Sequence, residues 1–173
     1  MRRAANPYCA LIGLVLLLAT PAVEAAPPSI ADSEFTALFI RYYSAVKNGW
    51  WDEAYGLLHE RLKKALNVQT AKELAVRDVV AQQNLIEGFR RYDNLDVART
   101  EIDLTSIKGT VTASGDGNVA GQVVYDLVVF PVGPGRPLMY RVVMDVGLAQ
   151  GRIIRLSQAS MVRIDPGARG DAV

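Results

Sequence analysis

The segment GQVVYDLVVF, Gly121–Phe130, is the stretch of sequence that decides the fold. Successive side chains of a β-strand point to opposite faces, so Val123, Tyr125 and Leu127 share one face. The only acid of the segment, Asp126, falls on the other face. We therefore predict a strand whose inner side is apolar and whose outer side carries a carboxylate.

The next segment along the chain alternates in the same way. Every other residue from position 138 to position 148 is apolar, with Tyr140 among them, whereas Arg141 and Asp145 occupy the opposite face. If the two segments pair, Asp126 lies within reach of Arg141 across the sheet. Neither Asp126 nor Asp145 is therefore expected to enter an interior cavity.

Two more strands complete an antiparallel meander. An alternation around Ile102 precedes the sequence GDGN at 115–118, which is typical of a hairpin turn. Residues 150–151 turn the chain again into a last strand over 152–164. Long strands joined by such short turns pair in antiparallel order.

The first half of the chain has helical periods instead. Apolar residues recur at three-and-four spacing over 35–46, with Asp32 or Ser33 as the candidate N-cap. A second helical stripe covers 54–66. The sequence TAKE at 70–73 is typical of a capping box at the start of a third helix.

Helices followed by a meander of strands predict one α+β domain over about residues 29–165. Its helices pack on a curved antiparallel sheet. The bend between the first two helices has the sequence NGWWDEAYGLL, 48–58. With this bend ahead of such a meander, the chain resembles the nuclear transport factor 2-like superfamily, in its small exported bacterial members. The resemblance implies a cone, in which the sheet wraps a long helix and leaves an opening at one end.

The aromatic residues of this bend are predicted to be structural. Trp51, Tyr55 and Leu58 share a helix face and most simply close the base of the cone, whereas Trp50 is expected at the surface. A ligand-stacking platform is the alternative for the same stripe. His59 is the only histidine and lies off the stripe, so we expect it in solvent and expect no metal site.

The interior is expected to be apolar, with a few uncharged hydrogen-bonding groups. Such groups orient a ligand but supply no base at neutral pH, so we predict no catalytic residue and no cofactor. The alternative is that the tyrosines only fill the core. The candidate ligand-binding residues are Tyr42, Trp51, Tyr55, Tyr125, Tyr140, Gln158 and Ser160.

The two ends of the chain are expected to lie outside the folded domain. Residues 1–25 have the order of a secretory signal peptide, with arginines ahead of an apolar run over 10–19 and cleavage after Ala25. The run is shorter than the ~20 residues of a spanning helix, so no membrane span is expected after cleavage. An uncleaved anchor is the alternative. We expect a periplasmic or secreted protein with a flexible tail over 166–173.

The mature chain is expected to contain no cysteine and to carry no net charge. Cys9 lies in the leader, which excludes disulfides and thiolate chemistry. Loss of Arg2, Arg3 and Glu24 from 19 basic and 18 acidic side chains leaves equal numbers of each. Because nucleic-acid-binding proteins normally have a basic excess, that class of partner is excluded.

Three functions remain. The favoured one is an exported, non-catalytic binding or accessory module of the bacterial envelope. It would hold a small apolar ligand, or pair with a second copy or an envelope protein through its outer sheet face. The resemblance also implies isomerases or cyclases, which act on small hydrophobic molecules with an acid and a tyrosine inside the cone. A secretion-system subunit would require the leader as an anchor. The outer-face residues that suggest pairing are Gln122, Val124, Val128, Phe130, Met139 and Val143.

Overall fold

A computed structural model describes residues 30–164 of the chain. The leader predicted over 1–25 and the tail predicted over 166–173 lie outside the described residues. Helices come first and strands follow. The helices are α1 (Asp32–Lys47), α2 (Trp51–Gly56), α3 (Glu60–Leu66) and α4 (Ala71–Asp93), and the strands are β1 (Val97–Gly115), β2 (Asn118–Pro131), β3 (Leu138–Ala149) and β4 (Arg152–Ile164).

The four strands form one antiparallel sheet in the order β1-β2-β3-β4, which is not closed into a barrel. The helices pack against it, so the predicted single α+β domain is confirmed. Both predicted hairpin turns are present, and their two central residues have positive φ. The values are 52° and 72° at Asp116 and Gly117, and 52° and 69° at Gln150 and Gly151. Such turns match the right-handed twist of the strands they join.

The side-chain faces of β2 and β3 are those that the alternation predicts. Val123, Leu127 and Tyr140 are buried between sheet and helices. On the outer face, Arg141 Nε lies 3.1 Å from Asp126 Oδ1, directly across the ladder, which confirms the predicted pair.

Asp126 is nevertheless buried, with only 2% of its surface exposed. The register between β1 and β2 shifts between Asp103 and Lys108, where β1 bulges. Ser106 in this bulge accepts a hydrogen bond from the Asp126 backbone N–H at 2.7 Å. A pocket of about 250 Å³ on the outer face contains the carboxylate together with the bulge. The bulge thus removes from solvent an acid that the sequence places on the outer side.

The second predicted helix is in fact two. The continuous stripe over 54–66 is interrupted after Gly56, and α3 begins only at Glu60. The backbone between them pairs with the start of β4 instead: His59 N donates to Ile153 O at 2.8 Å, and Ile153 N donates to Leu57 O at 2.9 Å. The prediction of one continuous helix was wrong because the backbone groups of Leu57 and His59 bond to Ile153, which is distant in sequence, instead of bonding within a helix.

The predicted helix caps are partly confirmed. Thr70 Oγ1 accepts from Glu73 N at 3.2 Å, but the Glu73 carboxylate accepts from Gln69 N, one residue ahead of the expected partner. At α1, the N-cap residue is Ala31, and its side chain makes no cap. Asp32 lies inside the first turn, where its carboxylate accepts from Val111 N at 2.7 Å and ties the helix to β1.

Two clusters of buried side chains form the core. The larger one joins α1, α2 and α3 to the sheet and is centred on Phe35 and Phe39, whose ring centroids are 5.1 Å apart. The smaller one packs Phe89 of α4 against the other end of the sheet. Ile102 and Tyr125 contact both clusters. The junction between the clusters is therefore at the middle of the sheet's inner face.

Candidate functional site

A cleft of about 210 Å³ opens at this junction, between α1, α4 and the inner face of the sheet. It is mainly apolar, with a small set of polar side chains. The residues that line it are Tyr42, Tyr43, Val46, Lys47, Asp78, Gln82, Leu85, Thr100, Ile102, Tyr125, Leu127, Val142, Gln158 and Met161.

Local spacing brings these side chains to one place. On α4, residues 78, 82 and 85 are separated by four and three positions, so they share one helix face. On α1, residues 42, 43, 46 and 47 occupy adjacent turns in the same way. On β2, residues 125 and 127 both point inward. Each wall of the cleft is thus a regular element with a fixed direction.

Three tyrosines form a contiguous group in the cleft. The ring centroids of Tyr42 and Tyr43 are 5.3 Å apart, and those of Tyr43 and Tyr125 are also 5.3 Å apart. Burial, with the charge of Asp78 as the smaller cause, raises the pKa of Tyr42 to about 12. Burial likewise raises the pKa of Tyr43 and of Tyr125. All three phenols therefore remain protonated at neutral pH and can donate hydrogen bonds.

The phenol of Tyr125 lies beside that of Tyr43 and adds to the effect of burial on the pKa of Tyr43. Tyr125 itself lines the cleft from β2, and its pKa is raised mainly by burial. Its protonated hydroxyl can therefore donate a hydrogen bond to a ligand in the cleft.

Asp78 of α4 is the acid of the cleft. Gln82 Nε2 donates to its Oδ2 at 2.7 Å, one turn along the helix. Burial raises the pKa of the Asp78 carboxyl, and the hydrogen bond from Gln82 offsets only part of that effect. The expectation that no acid enters the interior is therefore wrong, since it considered only the acids of the strands.

The predicted site residues are distributed over several places. Tyr42, Tyr125 and Gln158 line the cleft, and a role in ligand binding stays a prediction for them. Tyr140 lies in a second groove, between the C-terminal half of α4 and the strands β3 and β4. The structure thus brings together three of the seven candidates.

The other three candidates lie elsewhere. Trp51 is half-buried against the larger core cluster. Tyr55 lies outside the cleft, where its hydroxyl donates to Gln69 O at 2.8 Å and Lys63 Nζ lies 4.0 Å from the centre of its ring. Ser160 pairs with Val143, and directly opposed residues share a face, so it lies on the outer side of the sheet. The inward placement of Ser160 was wrong because β4 bulges beside it.

The second groove has a volume of about 620 Å³ and adjoins the cleft. Tyr140, Asp93 and Arg163 line this groove together. Burial, then the charge of Asp93, raises the pKa of Tyr140, and Arg163 opposes this in part. The charged side chains of the groove, Asp93 and Arg163, are exposed to solvent.

His59 has a structural role. Its Nδ1 accepts a hydrogen bond from Arg61 N at 3.1 Å, which makes it the N-cap of α3. The expectation that it faces only solvent was therefore incomplete. Among residues 30–164, no group of three histidine, cysteine or acidic side chains is arranged to hold a metal ion.

The outer face of the sheet carries a strip of apolar pairs. Val124 is opposite Val143, and Val128 is opposite Met139, all four half-buried. Arg99 lies over the ring of Phe130 at 4.1 Å and covers one end of the strip. Pairing with a second copy or an envelope protein through this face stays a prediction.

Comparisons with protein-family models, curated proteins and solved structures found no match to this chain. The resemblance to the nuclear transport factor 2-like superfamily therefore stays a prediction. Over the described part of the chain, no helix is both long enough and apolar enough to cross a membrane.

Proposed function

We propose that this protein binds a small apolar molecule with an uncharged oxygen atom, in the cleft between α1, α4 and the sheet. The observation that carries the proposal is the convergence of three protonated tyrosines on a mainly apolar cleft. Ligand sites typically combine apolar walls with a few directed polar groups. The leader-like sequence at 1–25 supports action in the bacterial envelope.

The polar groups favour a neutral ligand. The Tyr125 hydroxyl can donate to a carbonyl or hydroxyl oxygen, whereas an anionic group would meet the carboxyl of Asp78 in the same cleft. Lys47 also lines the cleft, but the residue is exposed, so its charge is screened by solvent. A ketone, alcohol or ester fits these groups better than a free acid.

Replacing Tyr125 by phenylalanine is expected to weaken the binding of 2-heptanone about threefold to tenfold. The variant keeps the ring but loses one hydrogen bond to the ketone oxygen, which is worth about 0.5–1.5 kcal/mol. Isothermal titration calorimetry measures the change. Tyr55→Phe is the matched control, because Tyr55 lies outside the cleft and its loss should leave the affinity unchanged. Equal affinities in both variants, or no binding to the wild type, would contradict the proposal.

Proton transfer at the same site is a second candidate function. A carboxyl whose pKa is raised toward neutrality makes a more effective general base. Asp78 has such a pKa and lies in the same cleft as phenols that can donate to the oxygen of a bound ketone. The carboxylate would take an α-hydrogen as a proton, and the remaining electron pair would form an enolate held by those donors.

Replacing Asp78 by asparagine is expected to slow deuterium uptake at the α-carbons of 2-heptanone by about 10²–10⁴-fold, since the base is removed. Proton NMR in heavy water follows the exchange. In the wild type the rate should rise with pH through the raised pKa of Asp78, because only the ionised carboxylate is a base. Asp145→Asn, on the outer face, is the control and should exchange at the wild-type rate. Exchange no faster than in buffer would remove this candidate and leave the binding proposal standing.

A further inference from the structure

We infer that the ligand is elongated, with its oxygen-bearing end in the cleft and an apolar tail in the second groove. This inference rests on the proposed binding function and adds the shape and length of the ligand. It follows from how the two cavities adjoin, how large they are, and how their polar groups are arranged.

The cavities are neighbours with two residues in common. Leu85 of α4 and Met161 of β4 line both of them, and both residues are half-buried. Methionine is unbranched and adapts its shape to what it contacts. The side chains of Leu85 and Met161 therefore lie where the two cavities meet, and a change of rotamer at Met161 would let a narrow chain pass between them.

The cleft is too small to hold a ligand of ordinary size by itself. The cleft alone, at about 210 Å³, lies below the range of roughly 300–1,000 Å³ that is usual for sites of drug-sized ligands. The groove adds about 620 Å³, and the two together lie inside that range. A molecule confined to the cleft would be very small, whereas one that spans both cavities has an ordinary size.

The polar groups determine the orientation of the ligand. In the groove, the polar side chains of Asn84, Asp93 and Arg163 are exposed to solvent, and the side chains of Phe89, Leu95 and Leu138 supply apolar wall. In the cleft, the phenols of Tyr42, Tyr43 and Tyr125 lie side by side, stay protonated at neutral pH and can donate hydrogen bonds. The oxygen-bearing end thus gains more in the cleft, and the tail gains more in the groove.

Gly88 offers a way to close the groove without touching the cleft. It lines the groove from α4, and a Cβ atom built on it would meet no other atom within 4 Å. A phenylalanine at this position has room at its base and would occupy the space that the tail needs. Gly88→Ala is the matched control, because it removes the helix glycine but leaves most of the groove open.

A series of 2-alkanones from 2-butanone to 2-tridecanone, titrated by calorimetry, tests the inference. In the wild type and in Gly88→Ala, the affinity should rise roughly fourfold with each added methylene, until the groove is filled. Gly88→Phe should bind the short ketones with the same affinity as the wild type. Its affinity should stop rising at a shorter ketone chain than that of the wild type. Circular dichroism confirms that each variant is folded.

The possible outcomes separate the two proposals. If short ketones bind and the affinity stops rising at the same chain length in all three proteins, the inference of an elongated ligand is wrong and the proposed binding function stands. If none of the ketones binds to the wild type, both proposals are wrong. If Gly88→Phe weakens the shortest and the longest ketone equally, the groove does not hold the tail and the inference is overturned.

Discussion

Replacing Phe35 by alanine is expected to lower the free energy of unfolding by about 3–5 kcal/mol. The side chain is fully buried at the centre of the larger core cluster, in contact with Phe39. Its ring also lies against the backbone of Gly109 and Gly121, on two neighbouring strands. Truncation therefore leaves a cavity with walls on three elements, and regular strands cannot collapse into it easily. Urea denaturation, with the slope compared between the two proteins, measures the loss.

Ile40→Ala is the matched control for this variant. Ile40 is on the same helix but 37% exposed, so its truncation should cost no more than about 1 kcal/mol. Similar losses in the two variants would show that Phe35 is not the main contact between α1 and the sheet.

Replacing Gly121 by alanine is expected to destabilise the protein by about 3 kcal/mol, the upper end of what overpacking costs. A Cβ at this position would collide with the Thr110 carbonyl oxygen, and it would lie 2.8 Å from the Phe35 Cζ atom. The first obstacle is backbone and cannot rotate away. Relief thus requires β1 and β2 to separate or α1 to lift from the sheet. Thermal unfolding followed by circular dichroism gives the change in Tm.

Gly115→Ala distinguishes this clash from a general effect of removing glycine. Gly115 is in the same sheet, at the end of β1, but a Cβ there would meet nothing within 4 Å. Alanine in an extended segment is favoured over glycine by roughly 0.5–1 kcal/mol, so this variant should be neutral or slightly more stable. Equal destabilisation in both variants would contradict the close approach of α1 to the sheet.

The predictable part of the fold is the part with an uninterrupted period. In β2 and β3 the alternation has no bulge, and the faces of Tyr125, Asp126 and Arg141 follow directly from it. In β1 and β4 the register shifts, and a shift of one residue reverses every later face. No glycine or proline marks the bulge beside Ser160, so nothing local in the sequence indicates it. The interruption between α2 and α3 could not be predicted for a similar reason, because it is caused by backbone pairing of His59 with the distant Ile153.

The candidate site was predictable only in part. Tyr42, Tyr125 and Gln158 follow from helix and strand periods. Asp78 was missed, although it lies four residues after the buried Leu74 and four before Gln82, on one helix face. That spacing is a usable signal: a carboxylate within the apolar stripe of a helix is a candidate for partial burial. What the sequence could not supply is the distance between α4 and the sheet, which determines whether the stripe meets a packed core or an open cleft.

Only two of the 23 residues of α4, Leu74 and Phe89, are buried, and they lie near opposite ends of the helix. The span between them forms a wall of the cleft and has few apolar contacts of its own. The free energy of local opening, measured by amide hydrogen exchange, is lower for a segment with few buried side chains than for a paired sheet. The middle of α4 is therefore expected to open locally while β2 and β3 stay paired. If the cleft binds a ligand as proposed, transient opening of α4 would admit it, and the rate of ligand entry would report the stability of that helix.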